Sequence, residues 1–255
     1  MSIESAGLTH VGMKRAHNED SLYLLEEEHL YIVADGMGGH ASGEVASKMA
    51  VETVANFFKA TATDEEITWP YKLDKGLNMD ENRFVVSIKL ANAKIFEVAQ
   101  RTPKYRGMGT TIVGTLFKDS VVYICHVGDS RAYRFRDGRL EQLTEDHSLL
   151  NDYIRMKKLT QEEIDNFPHK NVIVRALGMK DSVLVDLKRE ESRDGDIYLL
   201  CSDGLSGMIS DEEIRQILEK EGKDLNRAIQ PLIQAANAAG GADNITAILV
   251  RYNAD

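Results

Sequence analysis

Cysteine and proline are scarce in this sequence, and that scarcity limits the kinds of protein it can encode. The 255 residues include two cysteines, Cys125 and Cys201, and four prolines. Two cysteines cannot build a disulfide framework in a chain of this length, and each lies in an apolar run where a buried thiol is expected. Four prolines leave little room for a proline-rich linker. We therefore predict a single domain over residues 1–255.

Long apolar runs and an excess of basic residues are also missing. Apolar runs such as Val121 to Cys125 are far shorter than the roughly 20 residues that cross a membrane. The net charge is −10, whereas nucleic-acid binding depends on clustered Lys and Arg. The first residues, Met1 to Glu4, lack the basic and apolar regions of a signal peptide. These absences predict a cytoplasmic protein with no nucleic-acid partner and no membrane span.

The apolar residues that are present recur in clusters of strand-like runs separated by amphipathic segments. Predicted strands lie at residues 21–25, 30–34, 111–117, 120–127, 131–136, 183–187, 196–201 and 245–251. Helical spacing occurs at 45–57 and 84–98, and the capping-box pairs Thr160/Glu163 and Ser210/Glu213 open two more helices. A fifth helix, at 225–239, contains Pro231, which should kink or split it. The pattern predicts an α+β sandwich in which helices cover antiparallel sheets.

Two stretches fit this pattern less well. Residues 61–82 are acidic and read as a surface loop between helices. Residues 148–182 are polar and irregular between two β regions, and we expect them to form a mobile flap segment.

Aspartates stand at the ends of several predicted strands. Two near-identical segments run from an apolar strand into Asp35-Gly36 and into Asp203-Gly204. Asp129 follows the strand that ends at Val127, Asp243 precedes the last strand, and Glu19-Asp20 precedes an early one. A single Asp-Gly after a strand is most often just a turn, but repetition of the pattern favours carboxylates that meet in the folded chain.

Carboxylates that meet repel one another unless their pKa values rise or a cation neutralises them. Oxygen ligands without Cys or His at metal spacing favour Mg²⁺ or Mn²⁺ over Zn²⁺. The glycine after Asp35 allows close backbone approach to such an ion. The residues alone therefore predict a divalent-metal centre made of aspartates.

The motifs that surround these aspartates resemble those of the metal-dependent PP2C-type protein phosphatases (the PPM family), in their compact bacterial form. In chain order they are RAHNED (15–20), ADGMGGHASGE (34–44), GMGTT (107–111), VGDSRAY (127–133), EDHS (145–148), RALG (175–178), CSDGL (201–205) and ADNIT (242–246). The resemblance covers nearly the whole chain. It implies a central antiparallel β-sandwich flanked on both sides by pairs of antiparallel helices. It also implies hydrolysis of phosphoserine and phosphothreonine by in-line attack of a water that bridges two Mn²⁺ or Mg²⁺ ions.

The resemblance also implies a role for individual residues. The expected metal ligands are Asp20, Asp35, the Gly36 carbonyl, Asp203 and Asp243, with Glu19 acting through a water and Asp129 sharing a weaker third ion with Asp203. Arg15 is the expected phosphate-binding arginine, because a guanidinium fork meets two phosphate oxygens. His40 is the expected general acid for the leaving alkoxide. The implied partners are phosphorylated proteins, including a bacterial Ser/Thr kinase that the enzyme opposes, and the expected state is a monomer.

Three other functions have to be weighed. Cys125 and Arg131 have the C-x₅-R spacing of cysteine-dependent phosphatases, but Cys125 lies inside a predicted strand, where a thiol is not activated. A non-catalytic scaffold would keep the fold and lose turnover, yet every matched ligand position is filled. A phosphodiesterase with the same metal chemistry would need a basic track for its polyanion, which a chain of this charge does not display.

Overall fold

The strands form two antiparallel sheets in a computed structural model that describes residues 1–38, 42–63, 69–157, 159–167 and 172–254. The first sheet has, in spatial order, β1 (Ser2–His10), β11 (Ile245–Asn253), β10 (Ile197–Cys201), β7 (Arg131–Arg136) and β8 (Arg139–Gln142). The second has β2 (Asp20–Leu25), β3 (Leu30–Met37), β5 (Ile112–Lys118), β6 (Val121–Val127) and β9 (Asp186–Glu191), and the short β4 (Gly109–Thr110) pairs with β3.

Helices cover the outer face of each sheet. The helices of the described ranges are, in chain order, α1 (Ser42–Thr63), α2 (Met79–Arg101), α3 (Leu149–Lys157), α4 (Gln161–Asp165), α5 (Asp203–Ser206), α6 (Asp211–Glu221) and α7 (Leu225–Ala238). One apolar cluster joins α1 and α2 to the second sheet, and another joins α6 and α7 to the first. Because the sheets also pack on each other through a third cluster, their central strands are buried on both faces. The α+β fold class predicted from the sequence is confirmed.

Aromatic rings fill the space between the two sheets. Phe117 contacts Tyr31 and Tyr198 edge to face, with ring centroids 6.1 and 5.2 Å apart. All three side chains are buried. Burial of this size fixes the two sheets against each other, so the ends of their strands form a common edge.

Several predicted elements lie where the sequence placed them. Thr160 and Ser210 cap α4 and α6 through complete capping boxes. The Asp137-Gly138 turn joins β7 to β8. The connection between α1 and α2 is shorter than the loop expected at residues 61–82, because α1 continues to Thr63 and α2 begins at Met79.

Other expectations were wrong, each for a physical reason. The strand expected at 183–187 is β9, at Asp186–Glu191, a mostly charged edge strand whose pairing with β6 fixes its position. The strand β1 was missed because its residues are largely polar, although it pairs with β11 along its whole length. Pro231 was expected to kink or split its helix, and it does not split it: α7 continues through the proline, with its apolar face buried on the sheet on both sides. None of the helices in these described ranges is long and apolar enough to cross a membrane.

Candidate metal centre

Asp20 and Asp35 face each other across the β2–β3 pair. They are direct partners in the antiparallel register. The Gly36 amide donates to the Glu19 carbonyl at 3.1 Å, which fixes this end of the ladder. The two carboxylates therefore leave the same edge of the second sheet side by side.

Asp20 also connects the two sheets. Its Oδ2 accepts hydrogen bonds from Ser202 Oγ at 2.8 Å and from Thr246 Oγ1 at 2.6 Å. Ser202 follows β10 and Thr246 lies in β11, so both donors come from the first sheet. One carboxylate from the second sheet is thereby held against the strand ends that carry Asp203 and Asp243.

Asp203 and Asp129 complete the acidic group from two further strand ends. Both interact electrostatically with Asp35, and Asp129 also interacts with Asp203. Within the described residues, Asp20, Asp129 and Asp203 each have a buried Oδ1 that accepts no hydrogen bond. An orphaned, buried carboxylate oxygen is costly unless a cation meets it, so these residues fit divalent ions.

Burial and mutual repulsion raise the pKa values of this group. Burial, followed by the charges of Asp203 and Asp243, raises the pKa of Asp20 to about 7. Burial and then Asp203 raise the pKa of Asp129 to about 7. The pKa values of Asp35 and Asp203 are raised as well, again mainly by burial. Four carboxyls that resist ionisation together form a site in which bound cations would offset the repulsion.

Asn244 ties the loop that carries Arg15 to the loop that carries Asp243. Its Nδ2 donates to the carbonyls of Val11 and His17, each at 2.9 Å, and its Oδ1 accepts from the Glu19 amide at 2.8 Å. Sequence reasoning assigned it no role, although it lies in the ADNIT motif. It positions Asp243 beside the residues that precede β2.

Arg15 lies at the open side of the group. Its Nη2 is 2.7 Å from Asp243 Oδ2, and about half of its side chain is exposed (51%). The fork is therefore accessible to a phosphate while remaining next to a carboxylate of the group.

Close backbone packing explains two of the glycines. A Cβ on Gly36 would lie 2.1 Å from the Gly43 carbonyl oxygen, and a Cβ on Gly204 would lie 1.9 Å from the Asn244 carbonyl oxygen. Gly43, in the first turn of α1, also donates to Glu19 Oε1 at 3.2 Å. In the structure, it is the backbone of Gly43 that makes the close approach that Gly36 was predicted to allow. His40 lies outside the described residues.

A cleft of about 240 Å³ opens from Asp129 and Asp203 toward the segment 148–182. Ser148, Leu150 and Asn151 contribute to its wall. Asp146 also lines it, but Arg131 binds both oxygens of that carboxylate, at 2.7 to 3.1 Å. Asp129 is therefore the free acid beside Asp203 in this cleft.

The geometry excludes the cysteine mechanism. Cys125 is buried within β6, and burial raises the pKa of its thiol well above the usual value. Arg131 is bound to Asp146 and to the Tyr133 hydroxyl. Cys125 therefore cannot act as a thiolate nucleophile, and Arg131 is not free to bind the phosphate.

Comparison with known proteins identifies the family. The family model of protein phosphatase 2C matches residues 7–250. The chain belongs to the protein phosphatase 2C family. Family membership confirms the resemblance, and with it the enzyme class: a metal-dependent protein serine/threonine phosphatase.

Two bacterial relatives of this phosphatase 2C align with it over nearly their full lengths. It is 39% identical to the serine/threonine phosphatase stp of Listeria innocua, over 95% of this chain and 93% of that one. It is 38% identical to the protein phosphatase PhpP of Streptococcus pneumoniae, over 98% of each. The catalytic domain of the serine/threonine protein phosphatase PstP, solved in complex with two manganese ions, superposes with a TM-score of 0.81 at 33% identity, over 99% of each chain. A pair of divalent ions is accordingly the cofactor that the comparisons support.

Proposed function

We propose that this phosphatase holds its two divalent ions with Asp20, Asp35, Asp203 and Asp243. The Gly36 carbonyl would serve as a further ligand, and Glu19 would act through a water. The observation that carries the proposal is the convergence of Asp20 from the second sheet and Asp203 from the first, each with a buried oxygen that accepts no hydrogen bond. The raised pKa values of Asp20, Asp35 and Asp203 point the same way, since cations would replace the protons that these carboxyls otherwise retain.

The reaction is hydrolysis of a phosphoserine or phosphothreonine monoester without a phosphoenzyme. When bound, the two ions supply a water of lowered pKa as the nucleophile and polarise the phosphoryl oxygens. A new bond forms from the water oxygen to phosphorus as the bond to the serine or threonine oxygen breaks, and that oxygen leaves with a proton. His40 is the proposed donor of the proton, and inorganic phosphate is the second product.

Arg15 is the proposed phosphate-binding group. Its exposed fork can take two phosphoryl oxygens at once, and its position beside Asp243, a proposed ligand, supports this role. Because Asn244 fixes the loops on either side, the guanidinium starts from a defined position.

We propose Asp129 and Asp203 as ligands of a third, weaker ion. Each has a buried oxygen without a hydrogen-bond partner, and both line the cleft beside residue 148. This ion would lie between the dinuclear centre and the segment 148–182, which we propose as the flap.

Phosphorylated proteins, among them a Ser/Thr kinase that the enzyme opposes, are the proposed substrates. A dinuclear centre recognises the phosphate, and the surrounding loops choose the protein. The proposed setting is the cytoplasm, which suits two buried, unpaired thiols. We further propose that residues 1–255 act as one domain and as a monomer.

Hydrolysis of a phosphothreonine peptide with Mn²⁺, with Mg²⁺ and with chelator tests this proposal. We expect turnover with metal, none with chelator, and a loss of at least about 100-fold in kcat for Asp203→Asn with an unchanged circular dichroism spectrum. The matched control is Asp137→Asn, which changes the same side chain in the exposed turn between β7 and β8. Near-normal turnover of Asp203→Asn would contradict the assignment, and a folded, metal-binding wild type without turnover would support the scaffold alternative instead.

A further inference from the structure

His147 makes two hydrogen bonds with Gly128, the residue before Asp129. The His147 amide donates to the Gly128 carbonyl at 2.9 Å, and the Gly128 amide donates to His147 Nδ1 at 3.0 Å. Gly128 has a φ of +111°, and a Cβ there would lie 2.6 Å from Thr111 Cγ2. The Gly128 backbone therefore has a conformation that favours glycine, and the two hydrogen bonds with His147 hold it there.

The other edge of the imidazole faces the end of the segment 148–182. Its Nε2 lies 3.0 Å from Arg175 Nη1 and 3.4 Å from Asp186 Oδ2, and Arg175 also donates to Asp186. The Val174 amide donates to the His147 carbonyl at 2.9 Å. The end of the segment 148–182 therefore contacts His147 both through its backbone, at Val174, and through a side chain, that of Arg175.

A second imidazole confines one face of the His147 ring. His126 stacks on it with centroids 4.6 Å apart and planes 17° from parallel. The His126 Nε2 is 2.9 Å from the Glu145 carbonyl oxygen. Both rings are buried, so His147 has little freedom to move independently of its neighbours.

A metal site is the obvious alternative, because ligand atoms of His126, His147 and Asp186 lie within 4.8 Å of one another. Two contacts argue against it. Since Nδ1 of His147 accepts the Gly128 amide, a neutral ring carries its proton on Nε2, so no lone pair faces Asp186. The guanidinium of Arg175 already provides the positive charge that pairs with Asp186.

We propose that His147 is a positioning residue for Asp129, and that Arg175 and Asp186 make this position depend on the segment 148–182. The inference rests on the proposed function in one respect, the role of Asp129 in binding the third ion. The ring holds Gly128, and the Gly128 conformation sets where the Asp129 carboxylate points. The Nε2 proton of the ring faces Asp186 Oδ2, and Arg175 holds that carboxylate in place, so Arg175 acts on the ring through Asp186. Displacement of residues 172–175 then loosens the third-ion site.

Two substitutions of His147 separate its packing from its hydrogen bond. His147→Phe keeps a ring against His126 but removes the acceptor for the Gly128 amide. His147→Asn loses the ring but places an amide oxygen close to where Nδ1 lies, so it restores that acceptor. His126→Phe is the matched control, since His126 makes no hydrogen bond to Gly128.

Amide hydrogen exchange of the metal-free full chain gives a readout independent of activity. We expect exchange at Gly128 to accelerate at least about 10-fold in His147→Phe and Arg175→Met, because the amide or its acceptor is released, and to return toward wild type in His147→Asn. Unchanged exchange at Gly128 in both His147→Phe and Arg175→Met would overturn the proposal.

Calorimetric titration with Mn²⁺ then tests the consequence for metal binding. We expect His147→Phe to weaken the low-affinity step about 10- to 100-fold, the range found when groups that orient metal ligands are removed, with the two tighter sites unchanged. If Asp129→Asn leaves that step unchanged, the assignment of Asp129 fails. If Asp129→Asn abolishes it while His147→Phe and Arg175→Met do not alter it, the positioning role fails.

Discussion

Asp20 shows how much of the site depends on contacts that sequence spacing does not reveal. The RAHNED motif predicted it as a ligand, but its hydrogen-bond donors Ser202 and Thr246 lie 182 and 226 positions away. These donors favour the ionised carboxylate, while burial and the acids around it oppose ionisation. Because one oxygen is fixed by both donors, the other is left to face the proposed ions.

Replacing Thr246 tests this orientation. Thr246→Val keeps the shape but removes the 2.6 Å donor to Asp20, so we expect a weakening of Mn²⁺ affinity of about 10-fold or more. Thr115→Val is the matched control, because the Thr115 hydroxyl is buried without a hydrogen-bond partner and its removal should leave affinity unchanged and stability equal or higher. Equal Mn²⁺ affinities for the two variants in calorimetry would contradict the role given to Thr246.

The two cysteines give a second prediction at this scale. Burial raises the pKa of Cys201 to about 12 and raises that of Cys125 well above its ordinary value, so both remain protonated thiols at pH 8. We expect iodoacetamide to leave both unmodified in the native protein, by intact mass, with turnover unchanged, and to modify both after denaturation. Rapid native alkylation of Cys125 with loss of activity would revive the thiolate mechanism.

Among the elements, those with strong local signals were predicted well and those fixed by long-range pairing were not. The capping boxes at Thr160 and Ser210 and the turn at Asp137 act through neighbouring residues, so the sequence reveals them directly. Strands β1 and β9 lie at sheet edges, carry many polar residues and take their register from β11 and β6. Their positions follow from a partner distant in sequence rather than from their own apolar pattern.

Pro231 is the opposite case, a strong local signal overridden by packing. The missing amide removes one hydrogen bond from α7, yet the helix continues from Leu225 to Ala238. Ile229 and Leu232, on either side of the proline, are buried against the first sheet. Apolar burial at about 25 cal/mol per Å² over several such side chains outweighs the cost of one lost helical bond.

For the whole molecule, the two-sheet architecture makes the metal centre possible. Strand ends from both sheets contribute acids to one edge, and aromatic packing between the sheets holds those ends together. The aspartates and their clustering were predictable because each follows or precedes a strong apolar run. Their separations, the orphaned oxygens and the role of His147 were not, because they depend on how one sheet is placed on the other.

The cluster of buried aspartates should make the free energy of unfolding depend on pH, and bound metal should reverse that dependence. The pKa values of Asp20 and Asp129 in the folded chain are about 7, above the ordinary 3.8, so between those values the folded state binds more protons than the unfolded state. The unfolding free energy of the metal-free protein therefore receives a contribution that is complete below about pH 4 and is lost as pH rises through 7. Divalent ions bind the ionised carboxylates, so they should restore stability most at high pH.

Thermal unfolding at pH 5, 6, 7 and 8, with saturating Mn²⁺ and with chelator, measures this linkage. We expect the gain in Tm from Mn²⁺ to grow with pH, by about 2–4 °C for each kcal/mol of added binding free energy in a chain of this size. The buried His147, whose pKa is lowered to about 4 chiefly by burial, destabilises the fold as pH falls below 6.5. Because that effect occurs with and without Mn²⁺, it largely cancels in the difference. In Asp203→Asn the gain should shrink at every pH, whereas a wild-type gain that stays constant from pH 5 to 8 would mean that the acids do not exchange protons for metal ions.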